Sequence, residues 1–127
     1  MNGFERFTKK ATYTMLFGAL MSVNAMAGDV EIVGVEATQS DGAWRFSVSL
    51  KHADEGWDHY ADLWQVIATD GSVLGERVLA HPHVNEQPFT RSLGGVVIPD
   101  GIDTVTIRAR DSVHGISKNE QSVSLTN

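Results

Sequence analysis

Between residues 44 and 51 apolar and polar side chains alternate without a break: Trp44, Phe46, Val48 and Leu50 against Arg45, Ser47, Ser49 and Lys51. A period of two sends successive side chains to opposite sides of an extended backbone, so this segment is a strand with one buried face. Residues 104–111 repeat the pattern, with Val105, Ile107 and Ala109 set against Thr106, Arg108 and Arg110. Two strands of this kind commit the chain to a sheet with a covered side. No segment sustains a helical period.

The remaining strands follow from the same signal and from turn residues. Residues 30–37 read as a first strand, closed by Gln39, Ser40, Asp41 and Gly42. A third covers residues 61–69, with Trp64 and Val66 on one face and Leu63 and Ile67 on the other; Asp70 and Gly71 turn it into a fourth over 72–79. Residues 89–98 make a fifth, in which Gly94 and Gly95 suggest a bulge. Residues 104–111 are the sixth and 121–125 the seventh. The fold expected is all-β, a seven-stranded antiparallel β-sandwich. Its core is expected from Trp44, Phe46, Val48, Leu50, Trp64, Val66, Val105, Ile107, Ala109 and Val123.

The first residues belong to another category. Arg6, Lys9 and Lys10 precede an uncharged stretch over 11–23 that is too short to span a bilayer, and Asn24-Ala25-Met26-Ala27 follows with small residues at Ala25 and Ala27. That order of zones is a secretory signal peptide. Residues 1–27 are expected to be removed after Ala27, leaving residues 28–127 as one domain. The mature chain then holds seven basic and fifteen acidic residues, a net charge of −8, which disfavours nucleic acid and anionic membranes as partners. No further apolar run predicts membrane insertion, and no cysteine stands near the cleavage site to carry a lipid. The expected location is the periplasm or the exterior.

The strand count, the tryptophan on the third strand and the run Val105-Thr106-Ile107-Arg108-Ala109-Arg110-Asp111 resemble the immunoglobulin-like domain. The segments Trp57-Asp58-His59-Tyr60-Ala61-Asp62 and His81-Pro82-His83-Val84-Asn85-Glu86-Gln87-Pro88-Phe89-Thr90-Arg91-Ser92-Leu93 resemble those of small exported bacterial proteins built on that fold. The resemblance implies the fold and the export. It implies no activity.

The histidines supply the functional signal. In a sandwich of alternating strands, successive connections fall at alternate ends, and the three at one end hold His52 and His59, His81 and His83, and His114. His81-Pro82-His83 sets two imidazoles on one side of extended backbone. There is no cysteine, and all four methionines lie within residues 1–27, so the mature chain offers no sulfur ligand. Nitrogen-preferring ions, Zn²⁺ or Cu²⁺, are the expected cargo.

The expected ligands are His81, His83 and His114, with His59 close by. Asp58, Asp62, Glu86 and Asp111 would serve as further ligands or as carboxylates that orient the rings. His52, beside Lys51, reads as an ordinary polar loop residue. Arg91, Trp57 and Tyr60 read as an ion-pair member and loop anchors, or as a surface for a periplasmic protein in the alternative role of an interaction module. Neither Ser47 nor Ser112 stands in a nucleophile elbow, and there is no His-Glu-x-x-His helix or phosphate loop, so an enzyme is not expected.

Overall fold

A computed structural model describes residues 29–126. The expected signal peptide and its cleavage position lie outside the described residues. Seven strands, β1 (Glu31–Ser40), β2 (Ala43–Lys51), β3 (Ala61–Ile67), β4 (Val73–Val78), β5 (Phe89–Val96), β6 (Thr104–Asp111) and β7 (Gly115–Ser124), form two antiparallel sheets. One has the order β1-β2-β5 and the other β4-β3-β6-β7. Lettered as in immunoglobulin-like domains, A-B-E packs on C′-C-F-G, the fourth strand joining the sheet of the third.

The inner faces are those the alternation marks. All ten residues expected in the core are buried, and Val30, Ile32, Val35, Ala37, Ala61, Leu79, Phe89, Val96 and Leu125 complete the cluster. Asp41 and Gly42 both adopt positive φ, 54° and 82°, in the two-residue turn between β1 and β2, the geometry that matches the twist of a hairpin. A register shift between Ala61 and Leu63 lets Ala61 and Trp64 both face inward, Ala61 opposite Asp111 and Trp64 opposite Ala109.

The seventh strand differs from expectation. It starts at Gly115, not Gln121, and shortens the connection after β6 to Ser112, Val113 and His114. Its early inward positions are polar, which hides the strand from a hydrophobic pattern. Ser117 accepts a hydrogen bond from the Val30 amide at 2.8 Å, and Asn119 donates to the Val30 carbonyl at 3.2 Å. These contacts join the sheets along one side. Along the other, Arg77 on β4 donates from Nε to the Ser92 carbonyl of β5 at 2.9 Å. Gly75 allows that approach, because a Cβ there would stand 2.9 Å from Leu93 Cδ2.

Candidate metal centre

Two strands run out of apolar residues at the same end while keeping their phase. On β2 the inward row Trp44, Phe46, Val48, Leu50 continues into His52; on β6 the row Val105, Ile107, Ala109 continues into Asp111. Both polar residues are therefore buried, His52 at 4% and Asp111 at 1% exposure. The small side chains of Ala61 and Ala109 lie at this end of the core. His59 comes from the 52–60 loop, which is folded by bonds from Asp54 N to His52 O, from Glu55 N to His59 O and from His59 N to Gly56 O. Gly56, at φ 91°, supplies the left-handed residue this loop requires. Ser112 and Tyr60 exchange hydrogen bonds at 2.9 and 3.0 Å and fix the loop to the β6–β7 turn.

His52, His59 and Asp111 form a group whose ligand atoms all lie within 4.8 Å of one another, close enough to hold a metal ion. His52 Nε2 is 3.6 Å from Asp111 Oδ2, and His59 Nε2 is 3.6 Å from Asp111 Oδ1. That is too long for a hydrogen bond. It is at the upper end of the edge of about 3.3–3.6 Å that separates ligands about 2.0–2.2 Å from a tetrahedral ion.

The other ring nitrogens are already held. His52 Nδ1 meets Asp54 Oδ1 at 2.6 Å, and His59 Nδ1 meets Glu55 Oε1 at 3.1 Å. A carboxylate accepts only, so Nδ1 carries the proton in each neutral ring, and Nε2 is the nitrogen on the Asp111 side. His59 Nε2 is buried and has no hydrogen-bond partner.

Asp111 is the anionic member. Burial works against its ionisation, but backbone N–H groups of His114 and Val113 and the His114 ring donate to the carboxylate and outweigh it, holding the group below its ordinary value. His114 Nδ1 lies 3.2 and 3.1 Å from the two oxygens. Asp54 is the mechanical centre of the end. One oxygen accepts from His52 and from Ala61 N at 3.1 Å, the other from His83 N at 2.7 Å. Gln87 adds a second tie, accepting from His52 N and donating to the His83 carbonyl, both at 2.9 Å.

Contacts thus run through all five histidines. Ring centroids are 4.8 Å apart for His52 and His59, 4.9 Å for His59 and His114, and 4.7 Å for His81 and His83. The two subsets meet through Asp54. Of the expected ligands, the structure brings His59 into the three-membered group, sets His114 beside it on Asp111, and places His81 and His83 on the neighbouring loop.

There His83 stacks on Phe89 at 4.0 Å, and Arg91 donates to its Nε2 at 2.9 Å. An ion at that nitrogen would have to displace the guanidinium. Burial, then the charge of Arg91, hold the His83 ring below its ordinary pKa. His81 is exposed, its Nδ1 on the Pro82 carbonyl.

The remaining expected residues divide in the same way. Asp62 pairs with Arg110 at 2.9 Å and Glu86 with Arg91 at 3.1 Å. Asp58 is exposed, and Trp57, 67% exposed, meets Tyr60 edge-on at 5.6 Å. His52 is not the polar loop residue its neighbour Lys51 suggests. The signal that finds it is strand phase: counting by twos from Trp44 arrives at His52. Asp54 and Glu55 were also missed, and only the folded loop reveals them.

The fold and site together define an all-β sandwich with a buried histidine–carboxylate group at one end. No protein-family model matches the chain, and no solved structure matches it. A protein of Halomicrobium mukohataei described as "Putative lipoprotein" is 42% identical over 88 residues, which is 68% of this chain and 43% of that relative. The chain therefore spans less than half the length of the relative. Among the described residues no helix is long and apolar enough to cross a membrane.

Proposed function

We propose that this protein is an exported binding protein for a nitrogen-preferring divalent ion, Zn²⁺ or Cu²⁺, held by His52 Nε2, His59 Nε2 and the Asp111 carboxylate. One observation carries the reading. Two imidazole nitrogens face the two oxygens of one buried carboxylate at 3.6 Å, while each ring is gripped from behind by another carboxylate, Asp54 or Glu55. Metal-binding histidines are usually oriented in this way. Two nitrogens and an oxygen, with no sulfur, suit Zn²⁺ or Cu²⁺. The lipoprotein description of the similar protein supports export, as does the basic, apolar and small-residue order of residues 1–27. We read the site as one of binding without turnover, because Asp54 and Glu55 are committed to holding the rings.

Titration calorimetry of the full chain with each ion tests this. Binding tighter than about 10 μM is expected, and His52→Ala, His59→Ala and Asp111→Asn should each abolish it. Neither ion binding, or all three variants binding as wild type does, overturns the reading. Loss in His81→Ala or His83→Ala alone would move the ion to the neighbouring loop. A second reading, an interaction module, is favoured by the exposed Trp57, Val84 and Val113 on the three loops at this end. Failure of ion binding would leave it standing.

A further inference from the structure

Three of the five histidines face an acceptor. His52, His59 and His114 each turn Nδ1 toward a carboxylate, that of Asp54, Glu55 or Asp111. A positive charge on any of those rings would stand beside an anion. His83 is the exception, because its ring nitrogen is held by a cation: Arg91 donates from Nη2 to His83 Nε2 at 2.9 Å. A guanidinium has donors only, so Nε2 must accept, and the ring is neutral with its proton on Nδ1. Nδ1 is buried and has no hydrogen-bond partner.

A second proton on this ring would set N–H against N–H and charge against charge where water does not reach, the residue being 5% exposed and stacked on Phe89. The charged groups that face it are Arg91, His81, Glu86 and Asp54. His81, its ring 4.7 Å away, adds to the repulsion when it is charged. Glu86 is engaged by Arg91, and Asp54 already accepts from the His83 amide, His52 and Ala61. The ring can therefore take a proton only by leaving its seat. Its backbone would go with it: His83 N–H is bound to Asp54 at 2.7 Å and the His83 carbonyl to Gln87 at 2.9 Å.

We infer that His83 is an acid-released latch: on protonation the ring parts from Arg91 and Phe89, and residues 81–84 lift away from Asp54 while Glu86 keeps the connection tethered to β5. The 52–60 loop and the β6–β7 turn stay closed, since a charge on their histidines is drawn to a carboxylate. No bound ion is needed. Burial and Arg91 hold the ring below its ordinary pKa, so release belongs below pH 6.5.

Backbone hydrogen exchange followed by NMR, on the full chain with EDTA present and at about pH 7.5 and about pH 5.0, tests the latch. With intrinsic exchange rates divided out, protection of the His83 N–H should fall by about tenfold for each pH unit below 6.5, until the folded ring itself titrates. Ala61 N–H, bound to the same Asp54, and the amides of β2 and β6 should keep their protection, and the Phe89 ring signals should move to unstacked positions. His83→Gln, whose amide oxygen accepts from Arg91 but takes no proton, should stay protected at both pH values. So should Arg91→Gln, which removes the opposing charge and leaves Glu86 to the ring. Undiminished protection of wild type at pH 5.0 overturns the inference, as does a loss that persists in both variants. Loss shared equally by β2 and β6 also overturns it, because that is unfolding of the whole domain.

Discussion

Replacing Asp54 by alanine should cost more than any surface change in this protein, and the structure gives the size. The carboxylate accepts from His52 Nδ1 at 2.6 Å, Ala61 N at 3.1 Å and His83 N at 2.7 Å. Its side chain is sealed from solvent. Asp54→Ala leaves three buried donors without an acceptor, at about 1–3 kcal/mol each. Water entering the space left by the carboxylate would satisfy some of them, so the expected loss is about 3–6 kcal/mol in all. A domain of this size has about 5–15 kcal/mol in total, and each kcal/mol moves its melting point by about 4–8 °C. Thermal unfolding without metal should therefore drop by about 12 °C or more. Asp54→Asn, which keeps one acceptor oxygen and turns an amide N–H toward a donor, should fall between alanine and wild type. Measured by calorimetry and urea titration, a loss below about 1 kcal/mol would refute the claim that Asp54 ties the three segments together.

Truncating Phe46 or Trp64, both fully buried, to alanine should cost about 3–5 kcal/mol; a melting point within error of wild type would show that these side chains do not fill the core. The His83 ring is held below its ordinary value of 6.5, so the unfolded chain takes up the proton first. Its contribution to stability is full above pH 6.5 and is lost as pH falls toward the folded value. His83→Gln should flatten that part of a stability–pH curve measured by urea unfolding, and an unchanged slope would count against a neutral, buried ring. Intact-mass measurement of the exported protein should give a chain beginning at Gly28, and an N-terminus beyond Val30 would contradict cleavage after Ala27.

Strand phase made most of the sandwich legible. Where the inner face is apolar, as on β2 and β6, alternation names the core residue by residue. β7 was only half legible, because Ser117 and Asn119 spend its inward positions on hydrogen bonds to Val30. Nothing in a polar run distinguishes such a strand from a loop. The same phase, followed two residues past Leu50, would have found His52; judging it by its neighbour Lys51 hid it. The end of the sandwich that holds the histidines was legible from connection parity. The pairing of each ring with its carboxylate was not, since Asp54 and Glu55 act through a loop conformation that no spacing encodes.

Charge explains why a sandwich would place such residues at the end of its core. An apolar pair at the positions of His52 and Asp111 would continue the rows of β2 and β6 and stabilise the domain at no electrostatic cost. Instead Asp54 and Asp111 are sealed from solvent, and Asp111 is held ionised against the cost of its own burial by the N–H groups of Val113 and His114. Those donors satisfy one side of the carboxylate. The Nε2 atoms of His52 and His59 stand 3.6 Å from its two oxygens, close enough to share a cation with it. A divalent ion among them would take these three groups as ligands and neutralise the buried carboxylate charge. Binding should therefore add to stability by mass action, about 2.7 kcal/mol when the free ion is a hundred times its dissociation constant. The shift should vanish in Asp111→Asn, where the anion that draws the ion inward is gone.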